Sequence, residues 1–517
     1  MRTNVLEYLT EIVERLPDKP AFVGEDCEGR ETTLTFRALS AQTDAVGAYL
    51  AARGITREPV VVFMEKSPQT VAAFFGVIRA GAFYVPIDAE MPESRIALIL
   101  ENVTPRVMLC DRVTLARAKR WEKEKLCKPE AMPEPVLYDD VAYAALSDTD
   151  RERLSLIRAR ALDVDPIYIV FTSGSTGVPK GVAACHRSVL DYIERLSDTL
   201  GFNETTVFAN QTPLYFDACL KELYPTCKFG ATTYLVPKRL FMLPIDLIRY
   251  LNEKKVNTIC WVVSALTMLS AFGAFDEETP RYLHTVAFGS EVFPLKQFRI
   301  WREVLPNARF TNLYGPTEGT GMCCFYHVER EMQDGEAIPI GRPFPNTEIL
   351  LLKEDGTPAG EGESGEICIR GTSVTLGYYN NPERTGESFV QNPLQHAYPE
   401  IIYKTGDVGR YNEYGELVFL SRKDYQIKHM GHRIELGEIE ANVNLLEEIK
   451  TSACIYDTLK QKIILFYVGE LLPKELTARL KDKLPRYMLP NRVKKLDKMP
   501  YTANGKLDRK RLSEEGV

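Results

Sequence analysis

Between residues 171 and 182 the chain reads FTSGSTGVPKGV, with four hydroxyl side chains (Thr172, Ser173, Ser175, Thr176) and two glycines (Gly174, Gly177) ahead of Lys180. Such a loop packs poorly and loses much conformational entropy on folding, so it needs a function. Glycine lets a backbone approach a ligand closely, free N–H and hydroxyl groups bind anionic oxygens, and a lysine adds positive charge. A phosphate is the natural guest. The loop is not a Walker A loop, because Lys180 follows Pro179 and the Gly-Lys-Ser/Thr ending is absent. Four further stretches carry similar polar detail. LYGPTEGT (313–320) sets Tyr, Gly, Pro, Thr and Glu in a turn, and YKTGDVGR (403–410) holds Asp407 between glycines, free to reach a ligand. SRKDYQIKHMGHRIELGEIE (421–440) is charged and broken by glycine, and PYTANGKLDRKRL (500–512) places Lys506 after Asn-Gly on an exposed turn. Each alone is compatible with an ordinary turn; together and in this order they are specific.

The elements that must position these residues follow from hydrophobic patterning. Tyr168–Phe171 is a continuous apolar run of β-formers and reads as a buried strand. The phosphate loop therefore leaves a strand end, where open α/β sheets bind ligands. From about residue 30 to 420, strand-like runs alternate with amphipathic helical ones, as in PVVVFMEK, SPQTVAAFFGVIRAG and AFYVPID. That alternation predicts layered α/β sheets. Near 410–428 the character changes. RYNEYGELVFLSRKDYQIK reads as a hairpin turning at Tyr414-Gly415. A helix from Leu436, strands at Cys454–Tyr456 and Ile463–Val468, and a helix near Pro473–Leu484 follow. The expected fold is thus a large N-terminal α/β domain of several subdomains, residues 1–421, and a small α+β C-terminal domain, residues 422–517.

At 517 residues, 45% hydrophobic and 26% charged, the composition is that of a multi-domain globular protein with no run long enough to span a bilayer. The first twenty residues read as an acid-bearing amphipathic helix and not a signal peptide. Eleven cysteines without CxxC spacing read as reduced thiols of a cytoplasmic protein, and six dispersed histidines disfavour a structural zinc site. Charge is uneven: residues 422–517 carry 20 Lys/Arg against 14 Asp/Glu (+6), leaving 44 against 57 (−13) for the remainder. A basic tail suits a negatively charged partner, but no aromatic-basic motif accompanies it, so nucleic acid is not expected; a chance surface excess remains the alternative.

On these motifs the chain resembles the adenylate-forming enzymes, and within them the amino-acid adenylation domains of nonribosomal peptide synthetases and D-alanine–carrier protein ligases. The resemblance extends through LTFRALS (34–40), GVIRAGAFYVPIDAEMPESRI (76–96), GEICIRG (365–371) and LPRYMLP (484–490). Departures are small: Ser421 stands where the family usually has Gly, and Ala503 where it often has Pro. The resemblance implies a two-step reaction, in which a carboxylate attacks the α-phosphate of ATP and a phosphopantetheine thiol then displaces AMP. It implies that Thr172, Ser173, Gly174, Ser175, Thr176 and Gly177, with Lys180, enclose the β- and γ-phosphates. Thr317 would hold the α-phosphate, Glu318 would ligate Mg²⁺, Tyr314 would stack on adenine, and Asp407, with Arg422 nearby, would bind the ribose. Lys506 would neutralise the charge that builds in the first step. Rotation of the small domain about Asp424 would exchange Lys506 for Gly431 and its neighbours between steps. The implied partner is an acidic phosphopantetheinylated carrier protein supplied in trans, since no carrier domain follows Val517, and the enzyme is expected to act as a freestanding monomer.

By the same resemblance, Asp217 in YFDACLKELYP (215–225) would pair with a substrate α-ammonium. Ala218, Lys221, Cys260, Val286, Phe288, Leu313, Gly321 and Met322 would line the side-chain pocket. Lys221 leaves two readings open: it binds a side-chain carboxylate, or it pairs with Asp217 at i,i+4 or snorkels outward. Phe288 and Leu313 would narrow the pocket, which keeps a small amino acid open. An acyl-CoA ligase for a small acid and a non-catalytic nucleotide-binding subunit are the alternative functions. Asp217 argues against the first and intact Lys506, Glu318 and Asp407 against the second.

Overall fold

The computed structural model describes residues 2–516 apart from 175–177, 424–425, 459, 501–506 and 508. Among the described residues the strands form five sheets. One six-stranded sheet has the spatial order 134–137, 107–110, 59–63, 83–86, 166–172, 180–185, parallel except for the last pair. A nine-stranded sheet has a parallel centre, 309–314, 285–289, 258–262, 207–210, 232–235 and 20–25, flanked by antiparallel edges. Strands such as Pro59–Phe63, Thr258–Val262 and Thr285–Gly289 are buried along their whole length, because helices cover both faces of a parallel sheet. That is why they read as unbroken apolar runs. Helix Pro68–Arg79 starts where Ser67 accepts the Thr70 N–H and proline takes the first turn.

A third, antiparallel sheet contains the strands Gly365–Gly371, Ile401–Tyr411 and Leu417–Arg422, with Gly415 at φ +71° in the expected turn. Beyond it, a short hairpin, Gln426–His429 with His432–Glu435, leads into helix Leu436–Asn444. A three-stranded sheet, 449–457, 462–469 and 492–495, carries helix Pro473–Lys481. A buried cluster running from Ile434 to Met488 belongs wholly to this last part of the chain. The hairpin was not foreseen. Its two-residue loop, Met430-Gly431, has φ +52° and +78°, the left-handed pair that matches strand twist.

The N-terminal helix Leu6–Arg15 is docked partly through His186, the first residue of helix His186–Leu200, whose Nδ1 accepts the Val5 N–H at 3.3 Å. Burial holds the His186 imidazole at about 4, and its place at a helix N-terminus also disfavours a proton. The unfolded chain takes that proton near 6.5 and the folded one only near 4, so this group removes stability as pH falls through that window, by about 3 kcal/mol at completion. We expect the drop in urea midpoint between pH 7.5 and 5 to be smaller for His186→Gln than for the parent chain. Equal drops would show that this imidazole is not the titrating group.

Candidate functional site

The strands Pro166–Thr172 and Lys180–Cys185 pair antiparallel, with Thr172 opposite Lys180, so the glycine-rich segment between them is the loop of a hairpin. Ser175, Thr176 and Gly177 lie outside the described residues. A Cβ on Gly174 would stand 2.1 Å from the Val178 carbonyl oxygen, which excludes any side chain there. Among the described residues the buried Thr172 hydroxyl has no hydrogen-bond partner. The donors of Ser173, Gly174 and Lys180 are engaged by residues from beyond 430. The Gly174 N–H donates to Glu438 Oε2 (3.2 Å), the Ser173 hydroxyl donates to the Arg433 carbonyl (2.7 Å) and accepts the Glu435 N–H, and Lys180 pairs with Glu435 at 3.4 Å. Glu438 is also paired with Arg95, both buried. Burial lowers the Lys180 ammonium below its usual range, a cost offset in part by Glu318 and Glu435.

After strand Arg309–Tyr314 the chain makes a single 3-10 turn, Thr317–Gly319. Glu318 is fully buried; it accepts the Tyr378 hydroxyl (2.8 Å) and Arg433 Nη1 (2.6 Å). Burial alone would raise its carboxyl, but Arg433 and Lys180 hold it at about 2. Both oxygens are therefore taken. Among the described residues no three His, Cys, Asp or Glu side chains converge. Glu318, expected to ligate Mg²⁺, pairs with Arg433 in this arrangement. Asp407, also buried, accepts the Tyr314 hydroxyl on one oxygen and Arg422 on the other. Lys428 sits 5.4 Å from the Tyr314 ring centroid.

The tip of the 426–435 hairpin is pressed against the nine-stranded sheet. The Gly431 N–H donates to Glu291 Oε1 (2.8 Å), while Glu291 Oε2 accepts the Ser264 N–H at the start of helix Val263–Ala271. His432 stacks on Tyr487 at 3.7 Å and meets Phe216 edge-on. Between the hairpin and the large sheets lies a cavity of about 810 Å³. Thr172, Ser173, Asp217, Ala218, Thr317, Gly321, Met322, Asp407 and Arg422 all line it. So do Lys66, Lys428, His432 and Arg433, which sequence reasoning did not single out.

Asp217 begins a 3-10 turn that runs into helix Leu220–Phe229. Burial pushes its carboxyl up, opposed by Lys221 and the Thr317 side chain. The sheet register divides the expected pocket residues between two faces. Cys260 pairs with Ala287 and Gly289 with Leu313, so Cys260, Ala287, Gly289 and Leu313 share one face. Val286 and Phe288 point to the other face, among Ile259, Trp261, Phe293 and Trp301. Among the described residues, those lining the cavity include neither Val286 and Phe288 nor Ala287 and Gly289. The strand TVAFG is buried throughout and has no polar residue after Thr285, so its sequence offers no alternation from which to choose the face. Asp424 and Lys506 lie outside the described residues. Leu507 and Arg509, which follow Lys506, pack on the small unit, where Arg509 pairs with Glu440 and donates to the Cys454 carbonyl.

A model of the AMP-binding enzyme family matches residues 9–379. The chain is 31% identical over 526 residues to the D-alanine–D-alanyl carrier protein ligase of Bacillus licheniformis, covering 99% of both chains. It is 30% identical over 523 residues to tyrocidine synthase 1 of Brevibacillus parabrevis, spanning 99% of its own length but 45% of that protein. Among solved structures, IdnL1 superposes with a TM-score of 0.78 at 26% identity, covering 97% of this chain and 99% of that one. Holo-PA1221, a nonribosomal peptide synthetase protein with adenylation and PCP domains, superposes with a TM-score of 0.81 at 24% identity, covering 99% and 84%, and shares the fold.

Proposed function

Because the chain belongs to the AMP-binding enzyme family, we propose that it joins the carboxylate of an amino acid to ATP as an aminoacyl adenylate, and then passes the acyl group to the phosphopantetheine thiol of a carrier protein. The observation that carries this reading is the cavity onto which Asp217, Thr317 and the Asp407–Arg422 pair all open. An in-line attack on phosphorus asks chiefly for positioning and for neutralisation of developing charge. Asp217 supplies the first by fixing the substrate ammonium, and the donors of Thr172, Ser173, Gly174 and Lys180 supply the second around the outgoing pyrophosphate. Asp407 and Arg422 orient the ribose. A carrier-protein ligase matched over its full length favours the carrier over free CoA as acceptor.

In the arrangement described, Glu435 and Glu438 occupy the phosphate donors and Arg433 occupies Glu318. We assign it to the second step, after pyrophosphate has left. The first step then requires residues 422–517 to swing away from 1–421 about Asp424, with Lys506 brought in. Mg²⁺ at Glu318 belongs to that other orientation, in which Arg433 has withdrawn. No helix among the described residues is long and apolar enough to cross a membrane, and we place the enzyme as a monomer in the cytoplasm.

Asp217→Asn should lower kcat/KM for the amino acid by roughly 100-fold, mostly through KM, with the KM for ATP little changed, because a buried ammonium loses its counter-charge. Amino-acid-dependent exchange of labelled pyrophosphate into ATP measures this. Unaltered selection for the α-amine would place the ammonium site elsewhere.

A further inference from the structure

Resting on the reading that Asp217 holds the substrate ammonium, we propose that Lys66 is the positioning residue that fixes the wall of the cavity on which Asp217 stands. That wall is residues 211–218, all of which line the cavity, as does Lys66 itself. It runs from the end of strand Val207–Asn210, in the nine-stranded sheet, into the 3-10 turn that begins at Asp217. Residues 211–216 belong to no helix or strand, so the course of the wall depends on how its ends are held.

Lys66 comes from the other sheet. It lies just beyond strand Pro59–Phe63 of the six-stranded sheet and precedes Ser67, which caps helix Pro68–Arg79. Its ammonium donates to the Asn210 carbonyl at 2.9 Å and to the Gln211 carbonyl at 3.2 Å. One side chain thus ties the C-terminal ends of two strands, one from each sheet, where the wall begins. The far end is tied to the same point. Asn210 Nδ2 donates to Glu222 Oε2 at 3.2 Å, and Glu222 lies in helix Leu220–Phe229, which continues from the Asp217 turn. Asn210 and Glu222 are both fully buried. Both ends of the loop are therefore referred to Asn210, and Lys66 sets where Asn210 stands relative to the six-stranded sheet.

The seat of Lys66 is itself held on both sides. The Glu65 N–H donates to Asp111 Oδ2 at 2.6 Å, and the Glu65 carbonyl accepts the Thr70 hydroxyl. An amine at this place is costly: burial brings the Lys66 ammonium down to about 7, with Glu222 acting against the shift. A methionine would fill a similar volume without that cost, but it would withdraw the donor from both carbonyls.

The test is amino-acid-dependent pyrophosphate exchange by the full chain, read with the amino acid that supports the fastest exchange. It compares Lys66→Met, Asp217→Asn and the double variant. A misplacement of about 1 Å costs on the order of 100-fold in a positioned contact, so Lys66→Met should raise KM for the amino acid by about 30-fold, with KM for ATP within about threefold. Lys66→Arg, which keeps N–H donors at that reach, should return KM to within about threefold of the parent. In the Asp217→Asn background, Lys66→Met should add no more than about threefold, because the group it positions has already lost its charge. Should Lys66→Met not fold, Lys66→Gln, whose amide nitrogen sits one bond nearer the backbone, is read by the same cycle. An unchanged amino-acid KM, an equal rise in both KM values, a full second loss in the double variant, or failure of arginine to restore KM would overturn the positioning role and leave amino-acid adenylation standing. Full selection for the α-amine by Asp217→Asn would overturn the reading on which it rests.

Discussion

Replacing Lys506 with alanine should reduce amino-acid-dependent pyrophosphate exchange by about 100- to 1,000-fold, the usual loss when one charge-stabilising group is removed from a transition state. Transfer from a preformed aminoacyl adenylate to the carrier thiol should change by no more than about threefold. The asymmetry follows from the arrangement described, where Arg433 and Lys180 are the cations that act on Glu318, both through side chains that the first-step reading places elsewhere or commits to phosphate. Residues adjacent to Lys506 in sequence are packed on the small unit. A lysine that acts in one orientation only must fail in one half-reaction only. Equal losses in both, measured by exchange and by single-turnover carrier loading, would contradict its assigned step.

The second large effect is expected at Gly431. Its φ of +78° is costly for any L side chain, and an added Cβ would lie 2.7 Å from Val262 Cγ1 on the nine-stranded sheet. Gly431→Leu should therefore keep the hairpin tip from seating and break the contact of its N–H with Glu291. A displacement of about 1 Å is enough to cost on the order of 100-fold in a positioned reaction. Carrier loading should fall by that amount while pyrophosphate exchange stays within a few fold. Loss of exchange with loading retained would mean that the docked hairpin serves the first step.

How much of this was legible in the residues differs from element to element. The buried parallel strands were plain, because an apolar run flanked by helices has few other solutions. The hairpin loop ahead of Lys180 stood out because ordinary packing does not explain so much glycine and hydroxyl beside a lysine. The hairpin at 426–435 was hidden. Its loop is Met-Gly, not the usual Asn-Gly, and its charges read as solvent-facing. Arg433, Glu435 and Glu438 are in fact buried or nearly so, satisfied by Glu318, Lys180 and Arg95 from distant parts of the chain. Such pairing is tertiary information. That Val286 and Phe288 lie on the face opposite Cys260 was hidden for a related reason: a strand buried on both sides carries no period-two signal. Lys66, in the bend before helix Pro68–Arg79, and Glu222, in helix Leu220–Phe229, carried no signal until the fold brings them to Asn210.

Two half-reactions are assigned to one cavity, and the most direct measurement is the return of labelled pyrophosphate into ATP, with the purified chain and each amino acid in turn. Exchange that depends on one amino acid, followed by mass gain of a phosphopantetheinylated carrier equal to that amino acid less water, is the predicted result. Well-folded protein that returns no label with any amino acid, or does so equally without one, would contradict it.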